Sequence, residues 1–263
     1  MDFQTINIEI RDGIGTLSLN RPESGNAVHP AMLHEICIGL DRLSADDNVK
    51  AIVLRGAGRH FCTGADFEFL DRLTTMQPSA IQQEIYTHFQ GAARRLHHCR
   101  KPTIALIHGA AVTVGCELAL ACDFRLLSDT AFLQESWIKL GLMPPLGGLF
   151  LLPRLVGLAR AKQMVLRAEK IGAEQAVAMG LALEVVATET LNERGQQLAR
   201  ELGRLPPLAY ASVKLALHRG LETSMEAEWS SNVNNQAVLL SSEDFREGLR
   251  AVKERTPPVF RGR

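Results

Sequence analysis

The hydrophobic pattern at the front of the chain predicts a β-hairpin. Two runs of β-forming residues, Ile6 to Ile10 and Ile14 to Asn20, are separated by Arg11, Asp12 and Gly13. Asp-Gly is a favoured turn pair between antiparallel strands. A plain doubly wound sheet does not usually begin with a hairpin, so we expect a more coiled arrangement of strands.

Helical and strand patterns then alternate. Between Pro30 and Leu43 apolar residues recur with i, i+3, i+4 spacing, which predicts an amphipathic helix. Short continuous apolar runs, in contrast, are typical of buried strands. The predicted strands are 51–56, 103–108, 123–128 and 183–186, and the predicted helices between them are 30–43, 79–99 and 115–122. This alternation indicates an α/β core.

The β pattern stops after residue 186, and the rest of the chain is predicted to be helical. Predicted helices cover 190–205, 208–220, 224–240 and 242–255, and Pro206 and Pro207 mark a joint between the first two. We therefore expect a core over residues 1–204 and a helical C-terminal region over residues 205–263. Helices this short need a covered apolar face, which favours an oligomer.

Composition narrows the classes of partner. The chain has 263 residues, of which 46% are hydrophobic and 22% charged, as expected for a compact core. Because 29 Lys and Arg balance 29 Asp and Glu, no net field attracts nucleic acid or an anionic membrane. Aromatic residues, at 5%, are too sparse for platforms that stack bases. We expect neither nucleic acid nor a membrane as a partner.

Cysteine usage and the lack of targeting patterns predict a cytoplasmic protein. The odd number of cysteines matches no metal-ligand spacing, so we expect reduced, buried thiols and no metal site. The N-terminal decapeptide lacks the basic and apolar regions of a signal peptide. The most apolar window, 140–159, is interrupted by prolines, glycines and Arg154, so no membrane span is predicted. The cysteines are Cys37, Cys62, Cys99, Cys116 and Cys122.

Two segments carry the candidate chemistry. Phe61 to Asp66 follows a predicted strand, and its Gly-Ala-Asp turn can direct a backbone N–H into a cleft, although such turns are also common structural features. His108 to Asp123 contains a strand, a loop of small residues and a helix start, whose first N–H groups lack partners. Two such N–H groups from separate strand ends can form an oxyanion hole for a thioester enolate or a tetrahedral acyl-transfer state.

Five separated motifs make the chain resemble the crotonase superfamily, which contains enoyl-CoA hydratases and isomerases. The motifs are Asn20 to Ala27, Phe61 to Asp66, Lys101 to Gly109, Gly115 to Asp123, and Lys139 to Pro144 followed by Gly147 and Gly148. The resemblance runs from about Ile6 to Arg263. It implies an α/β fold built as a spiral of ββα units, with a C-terminal helical region for trimerisation. It also implies an acyl-CoA substrate, no separate cofactor, and a homotrimer or hexamer.

The resemblance assigns catalytic roles. The N–H groups of Ala65 and Val114 would form the oxyanion hole, and Glu117 would be the proton-transfer glutamate. Glu117 lies among apolar neighbours in the first turns of a predicted helix, where burying a carboxylate is unfavourable unless it has a function or a partner. The alternative to a catalytic role is a structural carboxylate in a salt bridge. The family usually has glycine where this chain has Val114. Its N–H stays available, but its side chain should narrow the space over the thioester.

The second glutamate of the hydratases has no direct match. Counting back from Gly141 places Trp137 at its position, whereas counting forward from Phe132 places Ser136 there, so one residue is inserted in between. The neighbouring Glu135 would restore the pair of carboxylates if the insertion forms a bulge that turns it inward. Trp137 would instead wall the pocket, or donate its N–H to a polar acyl group.

The resemblance also implies a coenzyme A site. Backbone groups around Asn26, Ala27 and Val28 and around Thr63 to Phe67 would hold adenine and pantetheine, while Lys214 and Arg255 would contact phosphate across a subunit boundary. Asp66 is a favoured N-cap residue for a helix beginning at Phe67. The full set of expected binding residues is Asn26, Ala27, Val28, Thr63, Gly64, Asp66, Phe67, Trp137, Gly141, Lys214 and Arg255.

These residues leave three functions open. The first is enoyl-CoA hydration or double-bond isomerisation, which proceeds through a thioester enolate with Glu117 moving a proton. The second is other chemistry on the same scaffold: acyl-CoA hydrolysis, decarboxylation or cleavage of a C–C bond. The third is a coenzyme A binding protein without turnover. Isomerisation needs one carboxylate, whereas hydration asks for two or for a firmly held water.

Overall fold

A computed structural model of the chain describes residues 3–263, with the side chains of all of these except 84 and 86. Residues 1 and 2, which belong to the predicted core, lie outside the described residues. The strands are β1 (Ile6–Arg11), β2 (Ile14–Leu19), β3 (Ala51–Gly56), β4 (Thr103–Ile107), β5 (Ala110–Val112), β6 (Phe124–Ser128), β7 (Phe132–Gln134), β8 (Lys170–Gly172) and β9 (Glu184–Val186). The helices are α1 (Pro30–Ala45), α2 (Phe67–Leu73), α3 (Pro78–Glu84), α4 (Gln90–His97), α5 (Val114–Ala121), α6 (Gly148–Val156), α7 (Leu158–Leu166), α8 (Ala173–Ala178), α9 (Leu191–Gly203), α10 (Pro207–Gly220), α11 (Met225–Ser241) and α12 (Glu243–Glu254).

The predicted hairpin is confirmed. Strands β1 and β2 pair antiparallel, with Ile6 opposite Leu19. The two turn residues, Asp12 and Gly13, both have positive φ, at 50° and 78°. Such a turn matches the twist of the strands that it joins.

The strands predicted from continuous apolar runs all lie in one large sheet. Its order is β1-β2-β3-β4-β6-β9, and every pair after the first is parallel. One face packs against α1, α4 and α5 in the main hydrophobic core, and the other is covered by α9. Because both faces are buried, the strands show continuous apolar runs and no alternation.

A second, smaller sheet escaped the sequence pattern. Strands β5, β7 and β8 contain three residues each, which is too short for a hydrophobic period to show. The chain passes from β4 into β5 and from β6 into β7 within a few residues, so it leaves the large sheet twice for the small one. At the first bend Gly109 has φ 58°, and a Cβ there would lie 2.4 Å from the Arg59 carbonyl oxygen. This repeated bend produces the coiled arrangement of ββα units.

The helices predicted after residue 190 are also confirmed, as α9 to α12. Helix α10 contacts the core through the buried Ala211 and Lys214. On α10 and α11, several large apolar side chains are exposed in the single chain, including Val213, Leu217 and Trp229. The division of the chain near residue 205 stays a prediction.

Two further observations bear on chemistry. All five cysteines are buried, as predicted, and free. Among the helices of residues 3–263, none combines the length and the hydropathy that a membrane crossing requires.

Candidate active site

The two segments expected to form the oxyanion hole run side by side. Cys62 pairs in parallel with Ala111, because the Cys62 N–H donates to the Ala110 carbonyl at 3.0 Å and the Val112 N–H donates to the Cys62 carbonyl at 2.9 Å. Gly115 stands against the same strand, since a Cβ there would lie 2.5 Å from the Cys62 oxygen. The turns that end the two segments are therefore neighbours.

These two turns expose the expected N–H groups. Gly64 has φ 116°, and a Cβ on it would lie 2.3 Å from Oγ1 of Thr113, so the turns are in contact. Thr113, with φ 46°, precedes Val114, the first residue of α5. Within residues 3–263, neither the Ala65 N–H nor the Val114 N–H donates to a protein group. The fold thus brings both N–H groups to adjoining turns and leaves them unpaired.

Glu117 is buried on α5, with 1% of its surface exposed. Its Oε1 accepts the N–H groups of Leu146 at 2.9 Å and Gly148 at 2.8 Å, and its Oε2 accepts Nε1–H of Trp137 at 3.2 Å. Burial raises the pKa of Glu117 to about 7, against the opposing effect of these hydrogen bonds. No ion pair within the described residues includes it, so the salt-bridged alternative does not describe this carboxyl.

The close approach of the Gly148 backbone to the Glu117 carboxylate requires glycine at position 148. A Cβ there would lie 3.0 Å from Oε1 of Glu117 and 3.2 Å from its Cγ. The N–H donors of Leu146 and Gly148 were missed by sequence reasoning, although Gly148 belongs to a motif that carried the resemblance. Backbone donors leave no side-chain signal, so only the Gly147-Gly148 pair hinted at a close approach.

Glu135 lies at the end of β7 and is completely buried, with 0% exposed. Neither carboxyl oxygen has a hydrogen-bond partner among the described residues. Burial and the charge of Glu117 both raise its pKa well above the usual range. The neighbouring Cys116 thiol opposes this rise in the pKa of Glu135. The side chain is thus turned inward, and its role as a second catalytic carboxyl stays a prediction.

Of the two roles expected for Trp137, donation of its N–H to an acyl group is wrong, and the pocket wall stays a prediction. It begins a 3₁₀ turn, Trp137–Leu140, between β7 and Gly141, and its side chain is buried. Its N–H donates to Glu117 and is therefore not directed at an acyl group. Gly141 ends this turn with φ 71°. The indole thus stands beside the candidate base, near where the hydratases have their second glutamate.

The expected coenzyme A segments are held together. Val28 N–H donates to the Gly64 carbonyl at 2.8 Å, and Thr63 N–H donates to the Gly25 carbonyl at 3.0 Å. The side chain of Asn26 is buried and fully used, because it bonds to the backbone of Arg21, Ala57 and His60. The Ala27 carbonyl accepts from the Arg21 guanidinium at 2.7 Å. The Asn26 side chain therefore shapes this loop and is not free to meet a ligand.

Asp66 caps α2 as predicted. Its Oδ1 accepts the N–H groups of Glu68 and Phe69, and its Oδ2 lies 3.0 Å from the Arg21 guanidinium. The following Phe67 is 75% exposed, so it offers an aromatic face at the edge of this segment.

Lys214 and Arg255 are not brought to these segments as a pair. Lys214 is buried, with Nζ 2.9 Å from the Asp123 carboxylate and 3.4 Å from the Leu96 carbonyl oxygen. Its charge is already compensated inside the chain, so this arrangement offers no phosphate contact from Lys214. Arg255 is exposed at the end of α12, in a left-handed backbone conformation with φ 56°. Its phosphate contact stays a prediction.

The fold and these side chains describe a class of protein: ββα units wound in a spiral, in which two adjoining turns leave backbone N–H groups unpaired and the helix that begins at one of them carries a buried carboxyl. The enoyl-CoA hydratase/isomerase family profile matches residues 9–263. The chain belongs to the enoyl-CoA hydratase/isomerase family.

Relatives in this family match the chain over nearly their full lengths. A Rhodobacter capsulatus protein named "Probable enoyl-CoA hydratase" is 38% identical over 100% of both chains. The 1,2-epoxyphenylacetyl-CoA isomerase of Escherichia coli is 32% identical, also over 100% of both. The solved structure of an enoyl-CoA hydratase from Bacillus anthracis superposes with a TM-score of 0.92 at 29% identity, covering 99% of this chain and 100% of that one. The crotonase-like α/β fold is thereby confirmed, and the protein is an acyl-CoA-processing enzyme of the hydratase/isomerase type.

Proposed function

We propose that the protein is an enoyl-CoA isomerase that moves a double bond in an acyl-CoA thioester with Glu117 as the only base. The supporting observation is the set of groups around Glu117. Two backbone N–H groups and one indole N–H hold its carboxylate, and no second carboxylate within the described part of the chain hydrogen-bonds with it. A single held carboxylate suits a proton shuttle along one face of an allylic system.

The unpaired N–H groups of Ala65 and Val114 would bind the thioester oxygen. When a proton leaves the carbon next to the carbonyl, negative charge develops on this oxygen, and donors already aimed at it stabilise the enolate. Val114 is the first residue of α5, so the positive end of the helix dipole adds to this stabilisation. The Val114 side chain would narrow the space above the thioester.

Glu117 would carry the proton. It removes a proton from C2 of a 3-enoyl-CoA, the electron pair of that C–H bond forms the new C2=C3 bond, and the former C3=C4 pair takes the proton from Glu117 at C4. The dienolate oxygen holds the charge in between, and the protein ends in its starting state. A pKa of about 7 suits both halves of this transfer, since the group is then about half ionised near neutral pH.

Enoyl-CoA hydration is the second candidate, and Glu135 favours it. This carboxyl is buried beside Glu117 with both oxygens unpaired. A neutral acid there would protonate C2 while Glu117 activates water, which is the division of work that hydration requires. Hydrolysis, decarboxylation and C–C cleavage have no comparable observation in their favour.

Assays with two different substrates distinguish isomerisation from hydration. Purified protein is mixed with a 3-enoyl-CoA or a 2-enoyl-CoA, and formation of conjugated enoyl thioester is compared with formation of 3-hydroxyacyl-CoA. Isomerisation faster than hydration supports the proposal, and the reverse supports the second candidate. Glu117→Gln should slow isomerisation by about 10²- to 10⁴-fold. An unchanged rate would reject Glu117 as the base, and binding of CoA without any turnover would favour a non-catalytic protein.

Binding would need no separate cofactor, because coenzyme A arrives as part of the substrate. Backbone groups of the paired segments around Val28 and Thr63 to Phe67 would hold it, with Gly141 near the acyl end and Arg255 on phosphate.

A homotrimer or hexamer is the proposed assembly. In the single chain, α10 borders a largely apolar groove of about 620 Å³, and apolar side chains of α11, among them Trp229 and Val233, are exposed. An exposed apolar surface of this kind is typical of an interface with another subunit. Sedimentation at equilibrium would test this state. The free, buried cysteines fit a cytoplasmic location.

A further inference from the structure

We propose that Trp137 is a positioning residue: its indole N–H fixes the orientation of the Glu117 carboxylate and directs one free lone pair of Oε2 toward the substrate. The inference rests on the proposed role of Glu117 as the base. It concerns a residue for which the sequence offered only a pocket wall or an acyl contact.

The hydrogen bonds of the carboxylate carry the first step. A carboxylate oxygen accepts about two hydrogen bonds. Oε1 already has two, from Leu146 and Gly148, and is therefore saturated. Oε2 accepts one, from Trp137 at 3.2 Å, so one acceptor position remains on that oxygen. The proton would travel through this position.

The indole is itself held firmly. Trp137 is 3% exposed, so bulk water does not compete for its N–H. Its carbonyl accepts the Leu142 N–H at 3.1 Å, which closes the turn after it. A ring with two side-chain torsions, buried on an anchored turn, presents its N–H in one direction. The carboxylate of Glu117 cannot rotate without losing this contact and those to Oε1.

The same contact affects which reaction the site runs. An indole donates a hydrogen bond but accepts none. It therefore cannot take a proton from water, as a second carboxylate could, and it occupies space beside Oε2. Trp137 thus favours direct proton transfer between Glu117 and the substrate over the activation of a water molecule there.

Fluorescence tests the contact without relying on activity. The chain has two tryptophans, so Trp229→Phe leaves Trp137 as the only indole. Trp229 lies on the α11 surface that the proposed assembly would cover, so phenylalanine is chosen to keep an apolar ring there, and sedimentation checks that this background assembles as the wild type does. The emission of Trp137 should change as pH crosses the titration of Glu117, with a midpoint near 7. Adding Glu117→Gln should abolish this step, and a step that persists would overturn the proposal.

Kinetics test the consequence. Trp137→Phe keeps an aromatic body and removes the donor. We expect kcat for isomerisation to fall about tenfold, KM to change little, and the midpoint of the pH–kcat profile to rise by about one unit. Trp229→Phe, with its assembly state checked by sedimentation, is the matched aromatic control, and Glu9→Gln on the exposed edge strand β1 is a control away from the α11 surface; both should leave all three unchanged. If Trp137→Phe is folded by circular dichroism but keeps the wild-type kcat and midpoint, Trp137 does not position the base.

The two proposals fail in different ways. Should Glu117→Gln retain activity while the fluorescence step still disappears, the proposed base is wrong, although the indole contact is real. Should Glu117→Gln lose activity while Trp137→Phe behaves as wild type, the base stands and the positioning role falls. Where Trp137→Phe does not fold, the fluorescence titration of the unaltered indole decides alone.

Discussion

Replacing Glu135 with methionine should make the protein more stable, should slow any hydration and should leave the rate of isomerisation unchanged. Glu135 is fully buried at the end of β7, and neither of its carboxyl oxygens has a hydrogen-bond partner within the described residues. Methionine is unbranched and of similar length, so it fills the same space without a polar group. If Glu135 served packing, the protein would lose stability on this change. If it is present for chemistry, the protein should become more stable.

The size of the gain follows from the burial. A buried polar group without a partner destabilises the folded state by about 1–3 kcal/mol in mutational data. We expect Glu135→Met to increase the free energy of unfolding by about that amount. For a chain of this size, each kcal/mol corresponds to a rise in Tm of about 2–4 °C.

The gain should also depend on pH. Burial, and then the charge of Glu117, raise the pKa of Glu135 well above 4.5. The unfolded chain loses this proton near the ordinary pKa of a glutamate, while the folded chain keeps it to higher pH. The effect of Glu135 on the free energy of unfolding is therefore most favourable below the unfolded pKa and becomes less favourable as pH rises. Methionine removes this dependence. The advantage of the variant should therefore be larger at pH 9 than at pH 5.

Urea unfolding followed by circular dichroism at pH 5, 7 and 9 measures both effects. Glu9→Met is the matched control, since Glu9 is an exposed glutamate on the edge strand β1 and should show neither effect. Hydration and isomerisation rates are measured on the same samples. A Glu135→Met protein that is less stable at every pH, or equally stabilised at pH 5 and 9, would refute the reasoning.

Three more changes probe the site and the docking of α10. Gly148→Ala should lower activity at least about tenfold, because its Cβ would lie 3.0 Å from Oε1 of Glu117, whereas Gly220→Ala, with no atoms near its Cβ, should not; steady-state rates compare them. Since the pKa of Glu117 is about 7 and its charged form is the base, kcat/KM should fall as pH drops below 7, and a flat profile between pH 5 and 8 would contradict this. His97 and His218 stack with ring centres 3.9 Å apart between α4 and α10, and burial lowers the pKa of His97 to about 4. Because the unfolded chain takes up protons first, the protection of α10 amides from hydrogen exchange, corrected for the intrinsic rate at each pH, should fall between pH 6.5 and 4, and His97→Phe should weaken that dependence.

Elements with strong local patterns were predictable from the sequence. The Asp12-Gly13 turn, the buried strands of the large sheet and the C-terminal helices each carry a period or a turn pair that survives in the structure. The small sheet does not, because three-residue strands are held by their neighbours and not by their own composition. The ion pair of Lys214 was likewise not predictable from local sequence. Its partner Asp123 is 91 positions away, and no nearby residue indicates the pair.

The site was predictable in its backbone and less so in its side chains. The glycines and small residues around Gly64 and Gly115 require close contacts, so they mark where two segments meet. The contact of Trp137 with Glu117 depends on how one inserted residue is accommodated between β7 and Gly141. A shift of one residue there changes which side chain faces α5, and counting along the sequence gave Ser136 or Trp137 according to the starting point.

The two ends of α5 differ in whether their backbone groups are paired. At its C-terminus Arg125 is buried and donates to the carbonyls of Ala119, Leu120 and Cys122, so that end is satisfied as a helix should be. At its N-terminus Thr113 has φ 46° without being glycine, and the Val114 N–H is left unpaired. Most described helices lack a side-chain cap at this position, so a missing cap alone marks nothing. Among the described helices, what sets α5 apart is an N-cap residue that has a positive φ without being glycine. Backbone strain is kept at functional sites more often than elsewhere, so the strained Thr113 beside an unpaired N–H supports the proposed oxyanion hole at this helix end.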